Sequence, residues 1–251
     1  VLNVETSGDV TVLRIEYGKA NAADTALLRG LTAAFHDLEK ASCRAVVLTG
    51  TGPVFSAGAD LKQVLDGGDA YLDEFLPALS DLLQTLFRFP KPLVAAVNGH
   101  AIAGGCVFAC AADRRLMAEG KARVGVPELL VGLPFPVDGL EIMRFATGGR
   151  DLPGVIYTGA TLLPADALAA GLIDEVVPAE ELSARALEVA GQLGRVPAEV
   201  FRLTKEQLRR PALALMSTDR NEREAETRRA WGSAEARAAL TAYVKQTLPQ
   251  R

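Results

Sequence analysis

The chain is poor in the residues that build metal and disulfide sites. It has two histidines, His36 and His100, and three cysteines in 251 residues. Cys43, Cys106 and Cys110 are an odd number in a chain long enough to bury a large core. That argues for reduced thiols and a cytoplasmic compartment and against a disulfide framework. Cys106 and Cys110 lie four apart among apolar neighbours with no His or Cys partner nearby, so no metal site is expected there. Long hydrophobic runs are missing too. The longest, Ala101–Ala112, is too short to span a bilayer, and no membrane partner is expected. No signal peptide is visible, and because the sequence opens at Val1 without Met, an upstream segment is left open. Nor is there an excess of cations: 27 Lys+Arg against 31 Asp+Glu give a net charge of −4. Sequence-independent nucleic-acid binding draws its affinity from clustered Lys and Arg, so no nucleic-acid partner is expected.

What is present is an ordinary globular balance. Apolar residues make up 49% and charged residues 23%, too much of the first for a disordered chain. The length suits one large domain with a helical appendage. The charge is uneven: residues 201–251 carry a net +5 and residues 1–200 a net −9. Such asymmetry points to an anionic ligand or partner at the C-terminal end, although a solvated basic helix face gives the same arithmetic.

Val10–Tyr17 reads as a strand, preceded by another at Leu2–Glu5 with Ser7-Gly8-Asp9 as the turn. Leu27, Leu28, Leu31, Phe35 and Leu38 predict one face of a helix over Asp24–Lys40. Ala45–Leu48 and Leu93–Val97 are short continuous apolar runs, as expected of buried parallel strands. A helix is expected over Tyr71–Phe87, ended by Pro90 and Pro92, and an apolar one around Gly105–Ala112. Leu116–Ala118 and Ala122–Val124 read as further strands. This alternation predicts an α/β fold with a parallel sheet and right-handed crossovers. After Gly132 the pattern turns helical, at Gly139–Ala146, Pro164–Ala170, Glu180–Leu193, Ala198–Arg209 and Asp219–Val244. No internal repeat stands out. The chain divides into an α/β core, 1–195, and a C-terminal helical region, 196–251.

Two glycine-containing turns follow successive apolar strands. They are Phe55-Ser-Ala-Gly-Ala-Asp-Leu-Lys62 and Asn98-Gly-His-Ala-Ile-Ala-Gly-Gly-Cys106. Small residues there let a ligand approach the backbone where a helix begins and free N–H groups point outward. Two such donors converging from adjacent strand ends could hold a developing oxyanion. The same glycines would serve tight turns alone, and the spacing leaves both readings open. Neither turn fits Gly-x-Gly-x-x-Gly or a P-loop.

The first turn resembles the F-[SA]-[AS]-G-A-D-[LI]-K segment of the enoyl-CoA hydratase/isomerase (crotonase) family, and the second its N-G-x-A-x-G-G-G-C segment. Lys19-Ala20-Asn21-Ala22, Pro127-Glu128 followed by Gly132, and Ala165–Pro178 (ADALAAGLIDEVVP) match further segments, all in the family's order. The resemblance implies a crotonase-like α/β spiral of βα repeats with a C-terminal helical region that builds a homotrimer or a dimer of trimers. It implies an acyl-CoA thioester as ligand, of the kind handled in fatty-acid β-oxidation, with CoA carried by the substrate and no separate cofactor. By position it places oxyanion donors at the Ala59 and Gly104 N–H groups. Ala59, Asp60, Leu61 and Lys62 would line the CoA path, and Ala20 would lie near the adenine. Lys19 and Ala57 complete the expected binding set. A thioester α-proton is far too weak an acid for a carboxylate at neutral pH. Enolate stabilisation closes that gap, each donor being worth about 3–4 kcal/mol.

Departures from the pattern bear on the reaction. The family's hydratases carry two glutamates, one directly after G-G-G-C and one in the P-E segment. The second is Glu128; the first position is Val107, which can neither activate water nor donate a proton. Adding water requires one group to orient it and another to handle the α-proton. Moving a double bond requires a single base, which takes a proton from C2 and returns one at C4. The pattern resembles the family's Δ3,Δ2-enoyl-CoA isomerases, which work with the P-E glutamate alone. Asp138 is the candidate second acid, as in some dienoyl-CoA isomerases, although alignment puts that position at Pro136. It otherwise reads as an acid favoured at a helix N-terminus. Phe135 is expected in the acyl pocket or the core, and Ala103, where most relatives have glycine, at φ below zero. Thr204 and Lys205 resemble a stretch that approaches the CoA phosphates, so Lys and Arg of 201–251 are expected there, across a subunit boundary. Isomerisation is the expected activity. Hydration, thioester hydrolysis, C–C cleavage and non-catalytic acyl-CoA binding remain as alternatives.

Overall fold

β1 (Leu2–Ser7) and β2 (Val10–Ile15) form an antiparallel hairpin turned at Gly8, whose φ is +58°. α1 (Thr25–Lys40) follows, capped by Asp24, whose carboxylate accepts the Leu27 N–H at 2.8 Å. The structure, a computed structural model, describes residues 2–150 and 152–247.

Three units come next, each with two strands and a helical segment. The first is β3 (Ala45–Thr49), β4 (Val54–Ser56) and α2 (Leu61–Arg88). The second is β5 (Leu93–Val97), β6 (His100–Ile102) and α3 (Gly104–Cys110). The third is β7 (Arg114–Ala118), β8 (Val124–Gly125) and a 3-10 turn at Glu128–Val131. Each unit adds a parallel strand to a large sheet and another to a small one, so the chain winds as the expected spiral. The repeat is legible in the backbone and hidden in the sequence because its helical segments have 28, 7 and 4 residues.

The remaining elements are α4 (Val137–Thr147), α5 (Leu152–Thr158), β9 (Thr161–Leu162), α6 (Pro164–Ala170), β10 (Glu175–Val177), α7 (Leu182–Gly194), α8 (Ala198–Ser217), α9 (Arg220–Trp231) and α10 (Ala234–Thr247). The large sheet runs β1-β2-β3-β5-β7-β10 and the small one β4-β6-β8-β9. The inner strands β3, β5 and β7 of the large sheet are buried on both faces, which is why they lack polar alternation. Val46, Leu48, Ala95 and Met117 face the core beneath α1, α2 and α3. Ala45, Val47, Val94 and Leu116 face Leu182, Ala186 and Val189 of α7.

Several boundaries differ from the sequence pattern. α2 starts at Leu61, ten residues before the expected Tyr71, because Asp60 caps its first turn and the helix continues across a kink at Gly68 (φ +57°). α8 runs through Pro211 to Ser217 instead of stopping at Arg209. The single helix expected over Asp219–Val244 is two. It breaks at Gly232-Ser233, where the Ser233 hydroxyl accepts the Ala236 N–H at 3.1 Å. β4, β6, β9, β10 and α5 are too short for periodicity to reveal. The expected division at 195/196 falls between α7 and α8.

The charge asymmetry is matched within the chain. Lys205 and Arg209 of α8 both meet the Asp113 carboxylate, at 2.7 and 2.8 Å, and that carboxylate also accepts the Leu93 N–H at 2.8 Å. Arg209 lies over the Phe87 ring, 4.3 Å from its centroid. Arg220 pairs with Asp138, and Arg228 with Asp69 and Asp73 of α2. Cations of the C-terminal helices thus meet acids of the first two hundred residues. Arg251, counted in the basic segment, lies outside the described residues.

Lys205 and Arg209 are buried, so removing their shared partner leaves two unpaired cations in the interior. Asp113→Asn should lower unfolding stability in urea by about 3–5 kcal/mol. Arg202→Ala breaks exposed pairs to Glu199 and Glu206 and should leave the urea midpoint close to the parent's.

Candidate active site

The segment between β2 and α1 is stitched to the first glycine turn. Asn21, at φ +47°, accepts the Tyr17 N–H at 2.8 Å and donates to the Val54 and Phe55 carbonyls at 3.1 and 3.2 Å. The Ala57 N–H donates to the Ala20 carbonyl at 3.0 Å. Ala23 then forms a parallel bridge with Ala59. Its N–H donates to the Gly58 carbonyl at 2.7 Å, and its carbonyl accepts the Asp60 N–H at 2.9 Å. A parallel bridge uses the groups flanking the bridged residue, so the Ala59 N–H faces the opposite side. Gly104 is the first residue of α3, and its N–H has no intrahelical acceptor.

The two turns touch backbone to backbone. Gly58 sits at φ +77°, and a Cβ there would stand 2.8 Å from the Ala103 Cβ and 2.9 Å from the Gly104 N. A Cβ on Gly105 would stand 2.2 Å from the Ser56 carbonyl oxygen. Ala103 departs from expectation: its φ is +52° and its ψ −126°. The sharp entry from β6 into α3 calls for a glycine-like conformation, and an alanine holds it at a cost of about 1–2 kcal/mol.

Ala59 and Gly104 line a cavity enclosing about 760 Å³, its open mouth included, together with Ala57, Leu61, Val107, Glu128 and Phe135. Glu128 opens the 3-10 turn and is 7% exposed. Its Oε2 is buried without a hydrogen-bond partner. Burial away from water disfavours the carboxylate and pushes its pKa up to about 8. Val107 and Phe135 both lie beside Gly139, with the side-chain atoms 3.7 and 3.5 Å from where a Cβ would stand. The cavity therefore brings Ala59, Gly104 and one buried carboxylate together among apolar walls.

The other expected site residues are placed as follows. Asp60 caps α2, accepting the Lys62 and Gln63 N–H groups at 3.1 Å. Ala20 is half-buried beside Ala57, while Lys19 and Lys62 are exposed. Asp138 does not line the Glu128 cavity. It lies in the first turn of α4, accepts the Ser80 hydroxyl at 2.7 Å, pairs with Arg220 at 3.3 Å and lines a separate cavity between α2, α4 and α9. Lys205 is not open to an anion. It is buried beneath α8 against Asp113, and burial brings its pKa down to about 8.

Several lining residues were illegible as such. Phe75, Leu79 and Leu83 of α2 belong to a helical stripe that reads as ordinary core, and the structure opens one edge of that stripe to the cavity. Trp231 and Tyr243 reach it from α9 and α10. Trp231 carried one signal: it is the chain's only tryptophan and ends an otherwise highly polar helix.

The spiral of strands added in turn to two sheets defines a crotonase-like α/β fold, and comparison with known proteins gives the same class. The enoyl-CoA hydratase/isomerase family model matches residues 5–250. The mouse mitochondrial enoyl-CoA delta isomerase 1 is 32% identical over 212 residues, covering 82% of this chain and 73% of that protein. A putative enoyl-CoA hydratase of Thermus thermophilus is 32% identical over 212 residues, covering 83% of each. The crystal structure of human mitochondrial delta3-delta2-enoyl-CoA isomerase superposes with a TM-score of 0.93 at 28% identity, covering 98% of this chain and 97% of that one. The chain belongs to the enoyl-CoA hydratase/isomerase family.

The buried acid makes stability depend on pH. In the unfolded chain Glu128 ionises near its ordinary value of 4.5, and in the folded protein near 8. Folding is therefore unpenalised below about pH 4.5, loses stability as pH rises, and carries the full penalty above pH 8. Glu128→Gln removes it. The variant's thermal midpoint should match the parent at pH 4 and exceed it at pH 8, by about 3–5 kcal/mol of stability. A constant difference across that range would contradict the raised pKa. Ala103→Gly should add about 1 kcal/mol in urea unfolding by relieving the positive φ.

Proposed function

We propose that the protein is a Δ3,Δ2-enoyl-CoA isomerase. The observation that carries the reading is a single buried carboxylate, Glu128, in a cavity with the Ala59 and Gly104 amides and with Val107 where a second acid would stand. The thioester carbonyl of a 3-enoyl-CoA accepts the two N–H groups. Glu128 removes a proton from C2, the negative charge spreads onto the carbonyl oxygen and C4, and the same carboxyl returns a proton to C4. The product is the 2-enoyl-CoA. A base with a pKa near 8 is stronger than an ordinary carboxylate, which narrows the gap to the thioester α-proton. The apolar wall of Val107 and Phe135 disfavours a positioned water, which argues for isomerisation over hydration. Likeness to the mouse and human isomerases supports the same reading.

The CoA portion is assigned to the mouth formed by Ala57, Ala59 and Leu61, with Asp60 shaping the turn and the exposed Lys19 and Lys62 facing its phosphates near Ala20. The apolar residues Val200, Leu208 and Leu215 exposed along α8 supply a surface for self-association, which supports a homotrimer or a dimer of trimers. A cytoplasmic location belongs to the same proposal: Cys43, Cys106 and Cys110 are free and buried, the state a reducing compartment maintains. Among the described residues no helix is long and apolar enough to cross a membrane.

The test is conversion of 3-enoyl-CoA to 2-enoyl-CoA, followed by the absorbance of the conjugated thioester. Glu128→Gln should lower kcat by about 10²–10⁴-fold. Comparable rates in both proteins would remove Glu128 from the reaction. With the parent, kcat/KM should rise about tenfold per pH unit below 8 and level above it, because the free enzyme's base must be ionised. Incubation with 2-enoyl-CoA should give little 3-hydroxyacyl-CoA; substantial hydration would replace this reading with a hydratase.

A further inference from the structure

The acyl cavity has a neighbour. A second cavity, a groove open to solvent of about 740 Å³ with its open mouth included, lies between α2, α4 and α9. Its lining mixes Leu72, Leu76 and Val137 with Asp73, Asp138 and Arg228. The helical register shows what separates the two. Phe75 lines the first cavity, while Leu72 and Leu76 on either side of it along α2 line the second. Trp231 lines the first, while Arg228, one turn earlier on α9, lines the second. Pro136 lines both. Pro136 is thus the wall the two share, and Phe75 and Trp231 stand on the first cavity's side of it, their ring centroids 6.2 Å apart.

Trp231 is held in place by more than packing. Its indole N–H donates to the Pro134 carbonyl at 3.0 Å, tying the end of α9 to the loop that carries Phe135 and Pro136. It is 6% exposed, and α9 is anchored to α2 through the Arg228 pairs with Asp69 and Asp73. A large ring fixed at both its polar edge and its helix is a rigid stop.

We infer that Trp231 sets the length of acyl chain the protein accepts, ending the acyl cavity at a wall beyond which a second, partly apolar groove lies. The inference rests on the reading above that the acyl chain of an acyl-CoA occupies the first cavity. Chains short enough to end before Trp231 bury every added methylene; longer ones fold back or stay in water. Shortening this side chain joins the two cavities and moves the limit outward.

The experiment measures binding of saturated acyl-CoAs from four to sixteen carbons by calorimetry, which needs no turnover. For the parent, affinity should rise about fourfold per methylene and then stop rising at a definite length. In Trp231→Leu the rise should continue by several more methylenes, giving a gain of tenfold or more for chains beyond the parent's limit and little change for shorter ones. Ala225→Trp, which adds bulk to the groove's lining on α9, should leave the parent's profile unchanged and bring the Trp231→Leu profile back toward the parent's limit. Circular dichroism confirms that each variant is folded. Should Trp231→Leu not fold, Trp231→Phe, which keeps an aromatic ring while shortening the stop, should shift the limit by a smaller amount. Identical chain-length profiles in the parent and a folded Trp231 variant would overturn the inference while leaving the isomerase reading in place. Absence of acyl-CoA binding at every length would instead remove the reading on which it rests.

Discussion

The contact between the turn after β4 and the turn after β6 governs the rest of the structure, because both turns line the same cavity. Gly58 and Gly105 permit it, one by adopting a positive φ and the other by letting the Ser56 carbonyl come against the helix backbone. Asn21 fixes the strand side of this contact through three hydrogen bonds, and the Ala23–Ala59 bridge turns one N–H away from its neighbours. The spiral then follows from repetition. Strands that add in register to two sheets bring successive strand ends side by side, and α3 begins where its first N–H groups meet the cavity.

The protein accepts unfavourable local energies at this place. Glu128 is buried without a partner for one carboxyl oxygen, and Ala103 holds a backbone conformation better suited to glycine. Both lie on the cavity wall, whereas the buried ions elsewhere are paired. Asp113 receives Lys205, Arg209 and a backbone N–H, and Arg115 meets Asp174 at 2.6 Å. A buried charge that meets an opposite one is a structural joint, whereas Glu128 is an unpaired acid on a cavity wall. That contrast separates Glu128 from Asp138 more clearly than their spacing in the chain does.

The C-terminal helices complete both the charge balance and the cavity. Their cations meet acids on α2, on α4 and at the end of α3, and Trp231 and Tyr243 close the apolar wall. The α/β core and the helical region are therefore separate in sequence composition and joint in the site.

The sequence by itself determined the parallel sheet, through apolar runs too continuous for a half-exposed strand, and the two glycine turns with Glu128, through a short motif whose residues serve one local geometry. It also determined the likeness to the enoyl-CoA hydratase/isomerase family, because five ordered segments of that kind are specific. Tertiary structure alone decided which acid faces the cavity and which cations are open to solvent. Asp138 and Lys205 have no local signal for burial; their environments are made by α2, α9 and the end of α3, brought near from distant parts of the chain. The same holds for the acyl wall. Phe75 and Trp231 carry the periodicity and polarity of ordinary helices, and only the packing of α9 against α2 shows that their rings border a cavity. Short strands such as β4 and β6 escaped notice for a related reason: two or three residues have no period, and their pairing partners lie a full turn of the spiral away.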